Sequence, residues 1–104
     1  MERDHALEGE LLEQANVPDG FADQVLARLA HYEAKHGNSG WEQSVDALLA
    51  EMQEEAADIA GWGIGAGYKL TAGQRCRLVV AIALGAAAWR ELQDLREQLA
   101  VDHG

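Results

Sequence analysis

The residues of this chain best equipped for chemistry are the acids of Glu51-Met52-Gln53-Glu54-Glu55-Ala56-Ala57-Asp58. They fall at i, i+3, i+4 and i+7, so a helix turning about 100° per residue brings all four to one face, within an arc of roughly 100°. Like charges four apart oppose a helix by about 0.2–0.5 kcal/mol per pair. Six acids and no Lys or Arg lie between Lys35 and Lys69, so nothing in the local sequence offsets them. Aligned carboxylates without a counter-charge need either water and salt or a cation, and hard divalent ions such as Mg2+ and Mn2+ suit carboxylate oxygen. Glu51, Glu54, Glu55 and Asp58 are therefore candidate metal ligands. The plainer alternative is a solvated acidic surface that keeps an oligomer soluble.

Elements that could position these acids follow from the apolar pattern. Val45, Leu48, Leu49, Met52, Ala56, Ile59 and Gly63 keep a 3.6-residue period beside the acidic stripe, which predicts a helix with these residues facing a core. Ser39-Gly40-Trp41-Glu42 matches a capping box that opens this helix. At its other end stands Gly61-Trp62-Gly63-Ile64-Gly65-Ala66-Gly67, where each glycine costs a helix about 1 kcal/mol relative to Ala. Either the helix stops there, or it continues with Gly61, Gly65 and Trp62 on the acidic side and Gly63 and Gly67 toward the core. Continuation would let a neighbouring helix or a ligand approach the backbone closely.

Before this helix, residues 1 to 15 form a short amphipathic helix or arm carrying Leu7, Leu11 and Leu12, and Val17-Pro18-Asp19-Gly20 is a turn with Asp19 as a possible N-cap. Helix two runs from about Phe21 to His36 and is expected to bury Phe21, Val25, Leu29 and Tyr32. His36-Gly37-Asn38-Ser39-Gly40 supplies the positive-φ positions that end it. Thr71 can cap a last helix from about Ala72 to near Ala100. Its middle, Leu78 to Trp89, is apolar on every face, and Leu92, Leu95 and Leu99 continue a seam beyond it. Twelve such residues are too few to span a bilayer, so the stretch reads as a helix enclosed in a bundle or dimer.

The chain of 104 residues is expected to be a single all-α domain, three main helices plus the short N-terminal one, completed by dimerisation or a higher assembly. A net charge of −10 excludes general binding to a phosphate backbone, which depends on Lys and Arg. A small polyanion could still be held through a metal. The single cysteine, Cys76, and the lack of an apolar run after Met1-Glu2-Arg3-Asp4 fit a cytosolic protein, with Cys76 as a small core residue. His31 and His36 lack the i,i+4 spacing of a helical zinc site, and no nucleophile-elbow motif is present.

Tyr32-Glu33-Ala34-Lys35-His36-Gly37-Asn38-Ser39-Gly40-Trp41, followed by Ala47-Leu48-Leu49-Ala50-Glu51-Met52-Gln53-Glu54-Glu55-Ala56-Ala57-Asp58, resembles the all-α nucleotide pyrophosphohydrolase superfamily of MazG-like proteins and dimeric dUTPases, small phage-encoded members included. The likeness covers roughly residues 21 to 70. It implies a helical bundle, dimeric or tetrameric, that uses Mg2+ to cleave a nucleoside or deoxynucleoside triphosphate to the monophosphate and pyrophosphate. Glu55-x-x-Asp58, preceded by Glu54, fits the family's second acidic motif. Glu51-x-x-Glu54 has the spacing of the first, but on the same helix. The helix that should carry the first pair offers only Asp23 and Glu33, and Glu10-x-x-Glu13 lies further upstream.

On this resemblance Glu51, Glu54 and Asp58 hold metal and Glu55 is a ligand or the base, with Glu55 and Asp58 the catalytic pair. Lys35, Lys69, Arg75 or Arg77 would hold phosphates, and Trp62 or Trp41 would stack on a base, though both Trp residues also suit core packing and both Arg residues suit surface or cross-subunit charges. The alternative function is a non-catalytic acidic helical protein that binds a basic partner surface or acts as a nucleic-acid mimic.

Overall fold

The computed structural model describes residues 3–37 and 42–103. All of its regular structure is helical: α1 (His5–Gln14), α2 (Asp19–His36), α3 (Val45–Gly67) and α4 (Arg75–His103), with no strand among the described residues. The all-α expectation is met, with three long helices and a short N-terminal one. Two compact units divide the chain, Met1–Gln43 and Ser44–Gly104.

In the first unit the Asp4 carboxylate caps α1 by accepting from the Leu7 N–H at 3.0 Å. Arg3 grips Glu8 through two hydrogen bonds, of 2.7 and 2.9 Å, and its guanidinium lies 3.8 Å from Glu33 of α2. That grip holds the Glu8 carboxyl below its usual range. Asp19 is the first residue of α2 rather than its cap, because Pro18 occupies the cap position with extended backbone. Gly37 ends α2 at φ 60°, the left-handed geometry expected of it. Val25, Leu29 and Tyr32 are only half-buried and Phe21 is exposed, so the expected α2 core does not form within the first unit.

The second unit is an antiparallel helical hairpin. On α3 the residues turned inward are Leu49, Gln53, Ala56, Ala60, Gly63 and Gly67, spaced alternately four and three apart, and all are buried or half-buried. On α4 the same alternation runs through Leu78, Ile82, Gly85, Trp89, Leu92, Arg96 and Leu99. This is a heptad seam on each helix, and small residues bring the backbones close. A Cβ built on Gly85 would lie 3.1 Å from the Ala56 carbonyl oxygen, and one on Gly63 would lie 3.0 Å from Cγ1 of Ile82. The glycine-rich end of α3 therefore stays helical because Gly63 and Gly67 admit Ile82 and Leu78, while Gly61 and Gly65 face open space.

This seam corrects the expected α3 core. Val45, Met52 and Ile59 are exposed, and Gln53 is buried in their stead. A close backbone approach favours the smallest side chains in the seam, so the larger apolar ones are displaced to its flank. The capping box at Ser39–Glu42 rests on Ser39, Gly40 and Trp41, which lie outside the described residues; the cap of α3 is Ser44, whose hydroxyl accepts from the Ala47 N–H at 3.1 Å. Thr71 and Gln74 close the turn that leads into α4, the Thr71 hydroxyl accepting from the Gln74 N–H while the Gln74 side chain accepts from the Thr71 N–H; α4 itself begins at Arg75, three residues later than expected. The stretch Leu78 to Trp89 is not enclosed within the second unit, since Val79, Val80 and Leu84 are exposed. Cys76 is exposed too, not a core residue.

These contacts separate the glycines by experiment. Gly61→Ala should stabilise the protein by roughly 0.5–1 kcal/mol through helix propensity alone. Gly85→Leu, forced against a backbone oxygen, should destabilise it by about 2 kcal/mol or more. Urea unfolding followed by far-ultraviolet circular dichroism reads both, and equal effects would contradict the seam.

Candidate functional site

The acidic stripe forms as a single face of α3. Glu51, Glu54, Glu55 and Asp58 are all exposed, and among the described residues none of them is paired with a cation. Two of the four open onto a common feature. Glu55 and Asp58 line a shallow groove of about 470 Å3 with Ile59, Trp62 and Ala66 of α3 and Leu78 and Ala81 of α4. Glu51 and Glu54 lie outside it. Among the described residues no three Asp, Glu, His or Cys side chains converge as a metal cage would require. The physical reason is that carboxylates three or four apart on one helix stand about 5–6 Å from each other at Cβ, and α4, the helix packed against α3, brings no further acids between them.

Trp62 is 81% exposed, so it is not the core residue its type suggested. It stands one turn beyond Asp58 with its ring available to a planar partner. Trp41 lies outside the described residues.

The expected basic residues have divided roles. Arg75 is occupied: its Nε donates at 2.8 Å to the Gly67 carbonyl at the end of α3, an oxygen that also accepts from the Leu70 N–H at 3.3 Å. Lys69 sits exposed in the connection between α3 and α4, and Arg77 is exposed on the first turn of α4. Lys35 is exposed in the last turn of α2, in the first unit.

The sequence reading missed a polar cluster inside the hairpin. Gln53, 5% exposed, donates through Nε2 to the Trp89 carbonyl and to Oε1 of Gln93, each at 3.1 Å. Its own Oε1 accepts from Arg96 at 2.6 Å, and Arg96 also binds Asp46 through two hydrogen bonds of 2.7 and 3.0 Å. Asp46 thus has a counter-charge that lies fifty residues away in the chain, where the local sequence shows none. The available signal was Gln53 and Arg96 in phase with the apolar seam, since polar residues at such positions fix register.

The Arg96 hydrogen bond, aided by the Arg96 charge, holds the Asp46 carboxyl below its usual range against the opposing effect of desolvation. A lowered folded-state pKa means that this stabilisation is complete above the unfolded value, about 3.9. It is lost as pH falls through that value and the lower folded one.

No protein-family model, curated protein or solved structure matches this chain.

Acid unfolding tests the cluster. Asp46→Asn should lower stability at neutral pH and flatten the dependence of stability on pH below about 4, as read by circular dichroism on titration from pH 7 to pH 2. A pH profile identical to that of the unmodified protein would contradict the role of Arg96.

Proposed function

We propose that the protein is a divalent-metal-dependent hydrolase that releases pyrophosphate from a nucleoside or deoxynucleoside triphosphate, acting as a cytosolic dimer or tetramer. The observation that carries this reading is the groove onto which Glu55 and Asp58 open beside the exposed ring of Trp62. Two carboxylates fit this use of Mg2+, an ion commonly bound through one or two carboxylates together with substrate phosphates and several waters. When bound there, the metal supplies charge neutralisation on the phosphates and an acidified water. Asp58 would hold the ion, and Glu55 would either share in holding it or accept the proton of the attacking water. Glu51 and Glu54, one turn away, raise the local cation concentration. Trp62 stacks on the base, while Lys69 and Arg77 are the candidate cations of the same unit left to reach phosphate once Arg75 is committed to Gly67.

A second reading rests on a different observation. The four carboxylates are exposed and do not converge, as suits an acidic, non-catalytic helical protein whose charge engages a basic partner surface. No helix among the described residues is long and apolar enough to cross a membrane, which accords with either reading.

Calorimetric titration with Mn2+ or Mg2+ and a pyrophosphate-release assay over a panel of triphosphates distinguish them. The enzyme should release pyrophosphate from at least one triphosphate, and Asp58→Ala should lower kcat/KM about 100-fold or more. Intact triphosphates at high protein concentration, with divalent binding unchanged in Asp58→Ala, would establish the acidic interaction protein instead.

A further inference from the structure

Charge is unevenly divided along the hairpin. Residues 59 to 90 contain none of the chain's 18 Asp and Glu, yet they hold four of its eight Lys and Arg: Lys69, Arg75, Arg77 and Arg90. This stretch is the closed end of the hairpin, made of the last turns of α3, the connection and the first half of α4. Large apolar side chains are exposed around the same end. Trp62 lines the groove with Ala81 on one flank, whereas Ile64, two residues on and so turned nearly the opposite way, meets Arg75 together with Tyr68. Val79 and Val80 are exposed on α4. At about 1.5 Å per residue, Trp62 and Ile64 lie within about 8 Å of Gly67, and Val79 and Val80 within about 8 Å of Arg75. With Tyr68 they form an apolar collar around the tip, and Lys69, Arg75 and Arg77 are exposed at the same level. The backbone of this end is already satisfied: the N–H groups of Tyr68, Lys69, Leu70, Thr71 and Gln74 all donate to acceptors within it.

We infer that the closed end of the α3–α4 hairpin docks end-on into an anionic lipid surface, its apolar collar in the headgroup layer and Lys69, Arg75 and Arg77 on lipid phosphates. A protein partner covers one flank, whereas a lipid layer surrounds a tip on all sides, which is how the collar is arranged. Its depth of about 8 Å falls within the roughly 5–10 Å to which interfacial elements bury their apolar faces. Trp and Tyr rings favour the headgroup level, and a backbone satisfied internally meets the demand of a layer poor in water. Charge fixes the direction of approach. Asp58 lies about 13 Å from Gly67 along α3 and Glu91 about 24 Å from Arg75 along α4, farther than the roughly 8 Å over which charge acts in physiological salt. The cations of the tip therefore reach the surface while the acids are screened from it, and the net charge of −10 repels the surface from any other side. A nucleic-acid strand would use the same cations but leaves Ile64, Val79 and Val80 without a role. The end dips and does not span, because no helix among the described residues is long and apolar enough to cross a membrane.

This inference goes beyond the proposed hydrolysis and requires neither metal nor nucleotide. In EDTA, the full chain should float with vesicles of equal parts phosphatidylglycerol and phosphatidylcholine, and should bind vesicles of phosphatidylcholine alone at least about 10-fold more weakly. Raising NaCl to about 0.5 M should weaken the anionic binding. Tyr68→Glu and Val79→Glu, both at exposed positions, should each lower partitioning by about 10-fold or more, with the helical signal kept in circular dichroism. Met52→Glu, about 22 Å from Gly67 along α3, should leave it unchanged. Absence of binding to the anionic vesicles overturns the inference, whether or not another part of the chain covers the tip. So does binding that Met52→Glu lowers as much as the two tip variants do, or capture of a single-stranded oligonucleotide in place of vesicles. Vesicle binding by a protein that releases no pyrophosphate would sustain the inference and refute the proposed reaction alone.

Discussion

The close approach of two helix backbones governs the arrangement of this protein. Gly85 sits where any larger residue would press on the Ala56 carbonyl, and Gly63 and Gly67 open α3 to Ile82 and Leu78 in the same way. A seam of small residues allows many backbone and methylene contacts at short range, yet it removes little apolar surface from water per residue. Burial of about 25 cal/mol per Å2 therefore stabilises the hairpin less than a Leu-rich seam would. The large apolar side chains are left outside, and the acidic face of α3 stays clear of the packing.

Specificity in such a seam has to come from something other than shape, because alanines and glycines fit one another in several registers. The polar cluster supplies it. Gln53 finds partners for both ends of its amide only where Trp89, Gln93 and Arg96 are opposite, and Arg96 finds Asp46 only in the same alignment. A slip of one heptad would leave a buried amide unsatisfied, which costs on the order of 1–3 kcal/mol. The cluster thus fixes which residues of α4 face the acidic helix, and with them the Leu78 and Ala81 wall of the groove.

The candidate site follows from this geometry. Of four aligned carboxylates, the two nearest the glycine-rich end share a groove with an aromatic ring, and the two nearer the middle face solvent. The groove exists because Gly63 thins α3 where α4 begins. Arg75, which by charge looked available for phosphate, is instead used to finish α3, since the last carbonyls of a helix need donors and Gly67 lies within its reach. The division between structural and available cations rests on such local demands.

Sequence by itself determined the helical class, the breaks between helices, the alignment of the four acids and the side of α3 on which Gly63 and Gly67 lie. Each of these follows from the 3.6-residue period or from residues with special backbone preferences, and both act over a few positions. Tertiary structure alone decided that Gln53 rather than Met52 turns inward, that Arg96 neutralises Asp46, that Trp62 stands in solvent, and that Arg75 is spent on a helix end. Those outcomes depend on which of several apolar faces meets the other helix and in what register. Side chains thirty to fifty residues apart fix that choice, and no local period encodes it.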